Sequence, residues 1–336
     1  NEGDPIYLHE STTAALYKLR EALQPTLQPN HNVVVTDCDH FANISPWEWR
    51  ADWEVRRARM LPDGHLDLDH FASLLDERTR VAAVTVAGNG LGTVLRVEEA
   101  VRLVRERAGQ AAVVLDAVHA APHLPLDIAA LGADALAFST YKLFGPNCGV
   151  LWLRPALAER LRPYAVEPHT DPVTLMEWGT LNNVTVAGIT AALEYLKRLG
   201  ERLEPAFVGQ LTAYPRERRV FKVALTAIRD YERSLSEQIL SAWQEIPGAK
   251  LLGIREPARA GERVPTFGFS VDHLSDAELE ERFWRLGELQ VAVSNHYSAA
   301  VLRGLGRPSV ARASFAHYNS PEDVERFLAT LRAITA

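Results

Sequence analysis

Cysteine is nearly missing from this chain: Cys38 and Cys148 are the only two in 336 residues. Two thiols build no disulfide framework, and their spacing matches no zinc-ligand pattern, so no metal centre is expected. A reducing compartment, the cytoplasm, fits that usage best. Long apolar runs are missing too. Nothing approaches the ~20 residues needed to span a bilayer, and no signal-peptide pattern opens the chain, so no membrane role is expected. There is no basic surplus: 36 Lys and Arg against 43 Asp and Glu leave a net charge of −7, which argues against nucleic acid as a partner. The basic run Arg216-Glu217-Arg218-Arg219 reads as a solvated helix face. Internal repeats and low-complexity segments are absent.

What is present is a composition of 47% hydrophobic and 24% charged residues, enough for a large core and a second, smaller one. From residue 33 to 160, short apolar runs alternate with amphipathic segments: "VVVT" (33–36), "VAAVTV" (81–86), "AAVVLD" (111–116), "ALAF" (135–138) and "GVLWL" (149–153). Between two of them, Val97, Val101 and Val104 of "RVEEAVRLVRERAG" recur at helical spacing, as a crossover helix requires. This alternation predicts an α/β fold with a mostly parallel sheet flanked by helices. Ligands of such sheets bind at the carboxyl ends of the strands.

Residues 185–245 are rich in helix formers and read as long helices leaving the sheet. Then come "PTFGFSV" (strand), "SDAELEERFWRLGE" (helix), "QVAVSNHY" and "VARASFAHY" (strands) and "NSPEDVERFLATLRAI" (helix). In the last, Asn319 or Ser320 suits the N-cap, Pro321 the first turn, and Glu322 and Asp323 the helix dipole. The expected division is a large domain with its helical connection over 1–225 and a small C-terminal α+β domain over 226–336.

Lys142 follows one apolar strand and precedes another, while Asp116 ends a third, one crossover unit away. An acid and a lysine meeting at a sheet edge form either a structural ion pair or a pyridoxal phosphate site. In such a site a lysine forms a Schiff base with the cofactor, and an aspartate keeps its ring nitrogen protonated so that the ring withdraws electrons from the substrate Cα. The second reading needs phosphate donors, and Ser11, Thr12 and Thr13 precede a helical run, with Ser139 and Tyr141 flanking the lysine. His40 offers a ring to cover the cofactor face. A nicotinamide site is the competing enzyme class, suggested by "AGNGLG" and Asp116, but its glycine spacing fails: the pattern meets Thr93 from Gly88 and Leu95 from Gly90.

The order of "DHFANISPW" (39–47), "GNGLGT" (88–93), "LDAVHAAPHLPLDI" (115–128), "FSTYKLFGPNCGVLW" (138–152), "EWGTLN" (177–182) and "VARASFAHYNSPEDV" (310–324) resembles the class V, fold-type I pyridoxal phosphate enzymes, and within them the cysteine desulfurase-like group. The resemblance spans nearly the whole chain from residue 11. It implies that Lys142 carries the Schiff base and moves the Cα proton, that Asp116 pairs with the ring nitrogen, and that His40 stacks on the ring. Asn89 and His119 would lie near the phenolic oxygen or ring edge. Thr12 or Thr13, Ser139 and Tyr141 would hold the phosphate, with Thr180 reaching in from a partner subunit, which implies a homodimer with shared active sites. Arg312 would grip the α-carboxylate of an amino-acid substrate as a fork. Asn43 and Ser298 are also assigned to the substrate.

The match breaks in one informative place. Desulfurases take sulfur onto a mobile cysteine in a "GHHC"-like segment, and the corresponding stretch here is "SNHYSAA" (294–300), with Ser298 at the cysteine position. A serine cannot become a persulfide. Cys38 and Cys148 read as small buried residues rather than substitutes. His119 stands where desulfurases usually have glutamine and Tyr141 where they often have histidine, so ring and phosphate contacts are retuned. The phosphate threonines also come almost at once, and the family segment that precedes them is expected to be absent, through truncation or in favour of a more open site. The resemblance implies carbon–sulfur chemistry by β-elimination. Transamination and epimerisation share the same first proton transfer, and a non-catalytic dimeric scaffold of the same fold is the reading outside enzymology.

Overall fold

The computed structural model describes residues 3–164 and 176–336. Its strands are β1 (Ile6–His9), β2 (Asn32–Thr36), β3 (Glu54–Ala58), β4 (Thr79–Thr85), β5 (Ala112–Asp116), β6 (Ala135–Ser139), β7 (Gly149–Leu153), β8 (Ala249–Leu251), β9 (Thr266–Val271), β10 (Ala292–Ser294) and β11 (Val310–Ser314). Its helices are α1 (Thr12–Leu23), α2 (Phe41–Glu48), α3 (Leu68–Leu74), α4 (Val97–Arg107), α5 (Ile128–Leu131), α6 (Pro155–Ala158), α7 (Asn183–Leu203), α8 (Arg216–Trp243), α9 (Asp276–Gly287), α10 (Ala299–Gly304) and α11 (Pro321–Thr335).

Seven strands form the large sheet in the order β1-β7-β6-β5-β4-β2-β3. The pairs β3–β2, β2–β4, β4–β5 and β5–β6 are parallel, and β7 and β1 close one edge antiparallel. The central strands read as unbroken apolar runs because both faces are covered. Alternate residues serve opposite faces. Val34, Ala82, Val84, Val113 and Leu115 pack in one core with Val97, Val101 and Val104 of α4, while Val33, Val35, Val81, Ala83 and Val114 pack in the other with Leu16 and Leu19 of α1. Glu98 and Glu99 in the first turn of α4 and Arg105 and Arg107 in its last complement the dipole.

The second sheet is antiparallel, ordered β10-β11-β9-β8, and buries Phe267, Phe269, Phe283, Phe327 and Trp243. Phe283 of α9 stacks on Phe327 of α11 at 5.4 Å between ring centroids. Ser320 caps α11, with Pro321 and the two acids in the first turn as the sequence suggests. The basic run at 216–219 opens α8. That helix is 28 residues long, and its last third supplies Leu235, Ile239, Leu240 and Trp243 to the small core. The expected division after residue 225 falls inside it.

Several elements differ from expectation, among them β1, β3, β8 and β10. Strand β1 was not foreseen: its four residues carry no period long enough to read, and tertiary pairing with β7 creates it. The run 290–297 yields only the three residues of β10, because His296 and Tyr297 turn into the left-handed region at φ +48° and +53°. Among the described residues no helix is long and apolar enough to cross a membrane.

Helices α7 and α8 touch where Gly200 has no side chain: a Cβ there would lie 1.8 Å from the Val220 carbonyl oxygen. Gly200→Ala is expected to lower stability by about 1–3 kcal/mol through forced separation of the two helices, read as a drop in the urea midpoint; an unchanged midpoint contradicts this packing.

Candidate active site

The carboxyl ends of β4, β5 and β6 and the N-termini of α1 and α2 surround a cavity of about 360 Å³. Register puts Asp116 opposite Ala137, and the turn after β6 carries Lys142 into the same space. Adjacent parallel strands therefore bring together the two residues that the sequence separates by a crossover. Asp116 is 3% exposed, and Oδ1 accepts a 2.8 Å hydrogen bond from the Val118 N–H. Burial pushes its pKa up to about 6, against the pull of that N–H. Among the described residues it has no cationic partner within ion-pair distance. Lys142 likewise has no carboxylate partner there; burial first and the Arg312 charge second hold its amine below the usual lysine range. Asp116 and Lys142 form no ion pair with each other, and a lysine biased toward the free amine is what Schiff-base formation requires.

Ser11 caps α1, its hydroxyl accepting from the Ala14 N–H at 3.1 Å, and with Thr12 and Thr13 it lines the cavity at the helix N-terminus. The Thr12 and Ser139 hydroxyls are 2.7 Å apart, tying this turn to the end of β6. Gly149 of β7 lets the turn lie so close: a Cβ there would sit 2.2 Å from the Ser11 carbonyl carbon. His40 caps α2, Nδ1 accepting from the Ala42 N–H at 2.9 Å, so Nε2 bears the proton of the neutral ring. Burial, then Lys142 and Arg312, hold its pKa down to about 4. His119 is buried with Nε2 3.0 Å from the Thr266 hydroxyl, and its Nδ1 is buried with no partner among the described residues, in a ring that lines the cavity. Burial and the nearby cations depress its pKa well below the ordinary value.

The small sheet completes the walls. Arg312 of β11 donates from Nη1 to the Asn89 carbonyl at 2.9 Å. Asn89 lines the cavity, but its side chain is committed elsewhere: Nδ2 donates to the His296 carbonyl at 2.8 Å and Oδ1 accepts from the Ser298 hydroxyl. Tyr141 is half exposed at the rim.

Two of the expected substrate residues do not line the cavity. Asn43, expected at the substrate, is fully buried away from the cavity, and Nδ2 donates to Asp39 Oδ1 at 2.7 Å because that buried carboxyl draws the amide inward. Ser298, also expected at the substrate, is 1% exposed, and its hydroxyl points to Asn89 instead. Thr180 lines a separate cavity of about 340 Å³ with Glu10, Lys18, Cys148 and Trp178. The sequence reading missed Thr85, Ser294, His296 and Tyr297, all of which line the main cavity. Thr85 was within reach, since it ends β4 as Asp116 ends β5. It also missed Asp39, whose buried carboxyl accepts from Thr36 and Asn43.

A protonated ring nitrogen would supply the cation that Asp116 lacks, the hydroxyls and N-terminus of α1 suit a phosphate, and the buried Nδ1 of His119 would suit a polar ring edge. The residues fit pyridoxal phosphate. A lysine amine and an uncompensated carboxylate at neighbouring strand ends are what an enzyme of the Schiff-base class needs. Comparison makes this particular. The aminotransferase class-V family matches over residues 2–218 and 219–327. A cysteine desulfurase of Serratia proteamaculans is 30% identical over 92% of this chain and 72% of its own, and one of Pectobacterium atrosepticum is 28% identical over 99% and 78%. Among solved structures, the apo cysteine desulfurase of Thermococcus onnurineus superposes with a TM-score of 0.84 at 22% identity, covering 99% of this chain and 79% of that one. A cysteine desulfurase of Escherichia coli gives 0.81 at 23%, covering 99% and 80%. The chain belongs to the aminotransferase class-V family of pyridoxal phosphate enzymes and is of the cysteine desulfurase-like type.

Asp39 generates a pH prediction. Burial raises its pKa from 3.8 to about 8, so the folded state holds this proton more tightly than the unfolded state. Its contribution to stability is full below the ordinary carboxylate value and falls as pH rises toward 8. Asp39→Asn mimics the protonated acid and should flatten the stability profile between those limits. A profile as steep as that of the parent would contradict the buried, protonated Asp39.

Proposed function

We propose that the chain is a homodimeric pyridoxal phosphate enzyme that cleaves a carbon–sulfur bond of an amino acid by β-elimination. The observation that carries this reading is the lack of a thiol at the cavity. Both cysteines of the chain are buried, burial raises both thiol pKa values, and neither residue lines the cavity. Sulfur released from a substrate has no residue of this chain to move to, so it leaves as a thiol or sulfide.

The bound cofactor supplies an electron sink for the pair left behind when a bond to Cα breaks. Arg312 binds the α-carboxylate through its fork and orients the substrate. Lys142 holds the cofactor and then moves the Cα proton. Asp116 would keep the ring nitrogen charged, His40 would cover one ring face and His119 would face the ring edge, while Asn89 lines the cavity with its side chain holding the His296 carbonyl and the Ser298 hydroxyl. Thr12, Thr13, Ser139 and Tyr141 hold the phosphate. Thr180 would enter from the partner subunit: it stands in a segment before and into the start of α7 where Trp178, Leu181 and Val184 are all exposed, and these apolar side chains support a two-fold contact. A large domain over 1–225 and a small one over 226–336 form each subunit. The free cysteines suit the cytoplasm.

Lys142→Ala should abolish thiol release from cysteine and S-substituted cysteines, and undiminished release would remove the assignment. Arg312→Lys should raise KM far more than it lowers kcat, because a point charge replaces the fork; an unchanged KM contradicts the carboxylate role. A keto acid formed from the amino donor with no thiol or sulfide would instead identify transamination.

A further inference from the structure

The segment Asn295–Ser298 leaves the small sheet after β10 and crosses to the mouth of the main cavity before α10 begins. It is fastened along its length. The Asn295 carbonyl accepts from the Ser298 N–H at 2.8 Å, and its Oδ1 accepts from the Tyr297 N–H at 2.9 Å. The His296 ring is buried between the Ser294 hydroxyl and the Val310 carbonyl, each at 3.0 Å. On the large-domain side, the Asn89 amide holds the His296 carbonyl, and the Phe41 N–H donates to the Tyr297 carbonyl at 2.8 Å. That N–H is one of the free donors at the N-terminus of α2. These bonds hold His296 and Tyr297 in consecutive left-handed conformations, which non-glycine residues adopt only when their surroundings enforce them.

The strained turn decides which side chain meets the cavity. Ser298 faces inward to Asn89, while Tyr297 lines the cavity with its ring centroid 5.4 Å from that of His40. Resting on the reading of the site as a carbon–sulfur lyase, we propose that Tyr297 is a catalytic residue that protonates the departing sulfur. Lys142 takes the Cα proton, and the electron pair of that bond becomes the Cα–Cβ double bond. The Cβ–S bond breaks with its pair going to sulfur, the Tyr297 O–H proton passes to sulfur to give a thiol, and water relays the proton held on Lys142 to the phenolate, restoring both residues. The unsaturated amine is hydrolysed to a 2-keto acid and ammonia. No oxidation state changes beyond those of elimination and hydrolysis, and no further reactant is needed.

The chemistry sets its own test. A weak acid such as a phenol assists a basic alkyl thiolate but adds little to a weakly basic aryl thiolate, which leaves unaided. In the full-length holoenzyme, Tyr297→Phe should retain Cα–H exchange in deuterated water, followed by proton NMR. It should lose about 100-fold in thiol release from S-ethyl-L-cysteine and only about three-fold or less from S-nitrophenyl-L-cysteine. Equal losses on both substrates, or none on either, would overturn the role. Absence of Cα–H exchange in the parent enzyme would instead defeat the lyase reading, and this proposal with it. A readout independent of turnover is amide hydrogen exchange in the cofactor-free protein. Slow exchange at His296, Tyr297 and Ser298 supports the fixed strap, and exchange at the rate of an open loop overturns it.

Discussion

A buried carboxylate without a counter-charge is the constraint around which this molecule is arranged. Asp116 ends a wholly buried strand, and among the described residues one backbone N–H is its hydrogen-bonding partner. Such a group is destabilising unless something positive joins it, which is why burial raises its pKa. The large sheet therefore holds a deficit that a cationic ring would remove, and the turn after the neighbouring strand delivers a lysine able to attach that ring. Helix α1 presents its N-terminus to the same space, held against β7 by a glycine that admits no side chain.

The second sheet finishes the site rather than merely packing beside it. Arg312 and Thr266 reach the cavity wall from β11 and β9, one gripping Asn89 and the other holding His119. A buried contact of 2.7 Å between His123 and Glu232 of α8 fastens the loop after β5 to the long helix shared with the small domain. The strap at 295–298 makes another connection, through Phe41 and Asn89. The polar residues of the site thus owe their positions to both sheets, and a shift of one sheet against the other would change the electrostatics at Lys142.

The central strands were legible in the sequence because two covered faces leave a continuous apolar run, and their order made the pairing of Asp116 with Lys142 deducible. Edge strands were not: β1 and β3 carry mixed residues and exist through their neighbours. Resemblance located Arg312, His40 and His119 in the cavity wall. Asn43 and Ser298, which it also named, do not line the cavity, because a motif fixes a residue's position in the chain and not the direction of its side chain. Asn43 turns toward a buried acid four residues earlier, and Ser298 turns toward Asn89. Tyr297 was invisible for a related reason. A left-handed backbone at a non-glycine residue leaves no compositional mark, and only long-range hydrogen bonds reveal it.

The central claim is that the cavity binds pyridoxal phosphate on Lys142 opposite Asp116. The chain contains five lysines, at 18, 142, 197, 222 and 250, which makes the claim open to direct mapping. Purified protein would be loaded with pyridoxal phosphate, reduced with borohydride, digested and analysed by mass spectrometry. The account predicts a phosphopyridoxyl group on the peptide carrying Lys142 and on no other. Label on any of the other four lysines in its place, or no label at all, would contradict it.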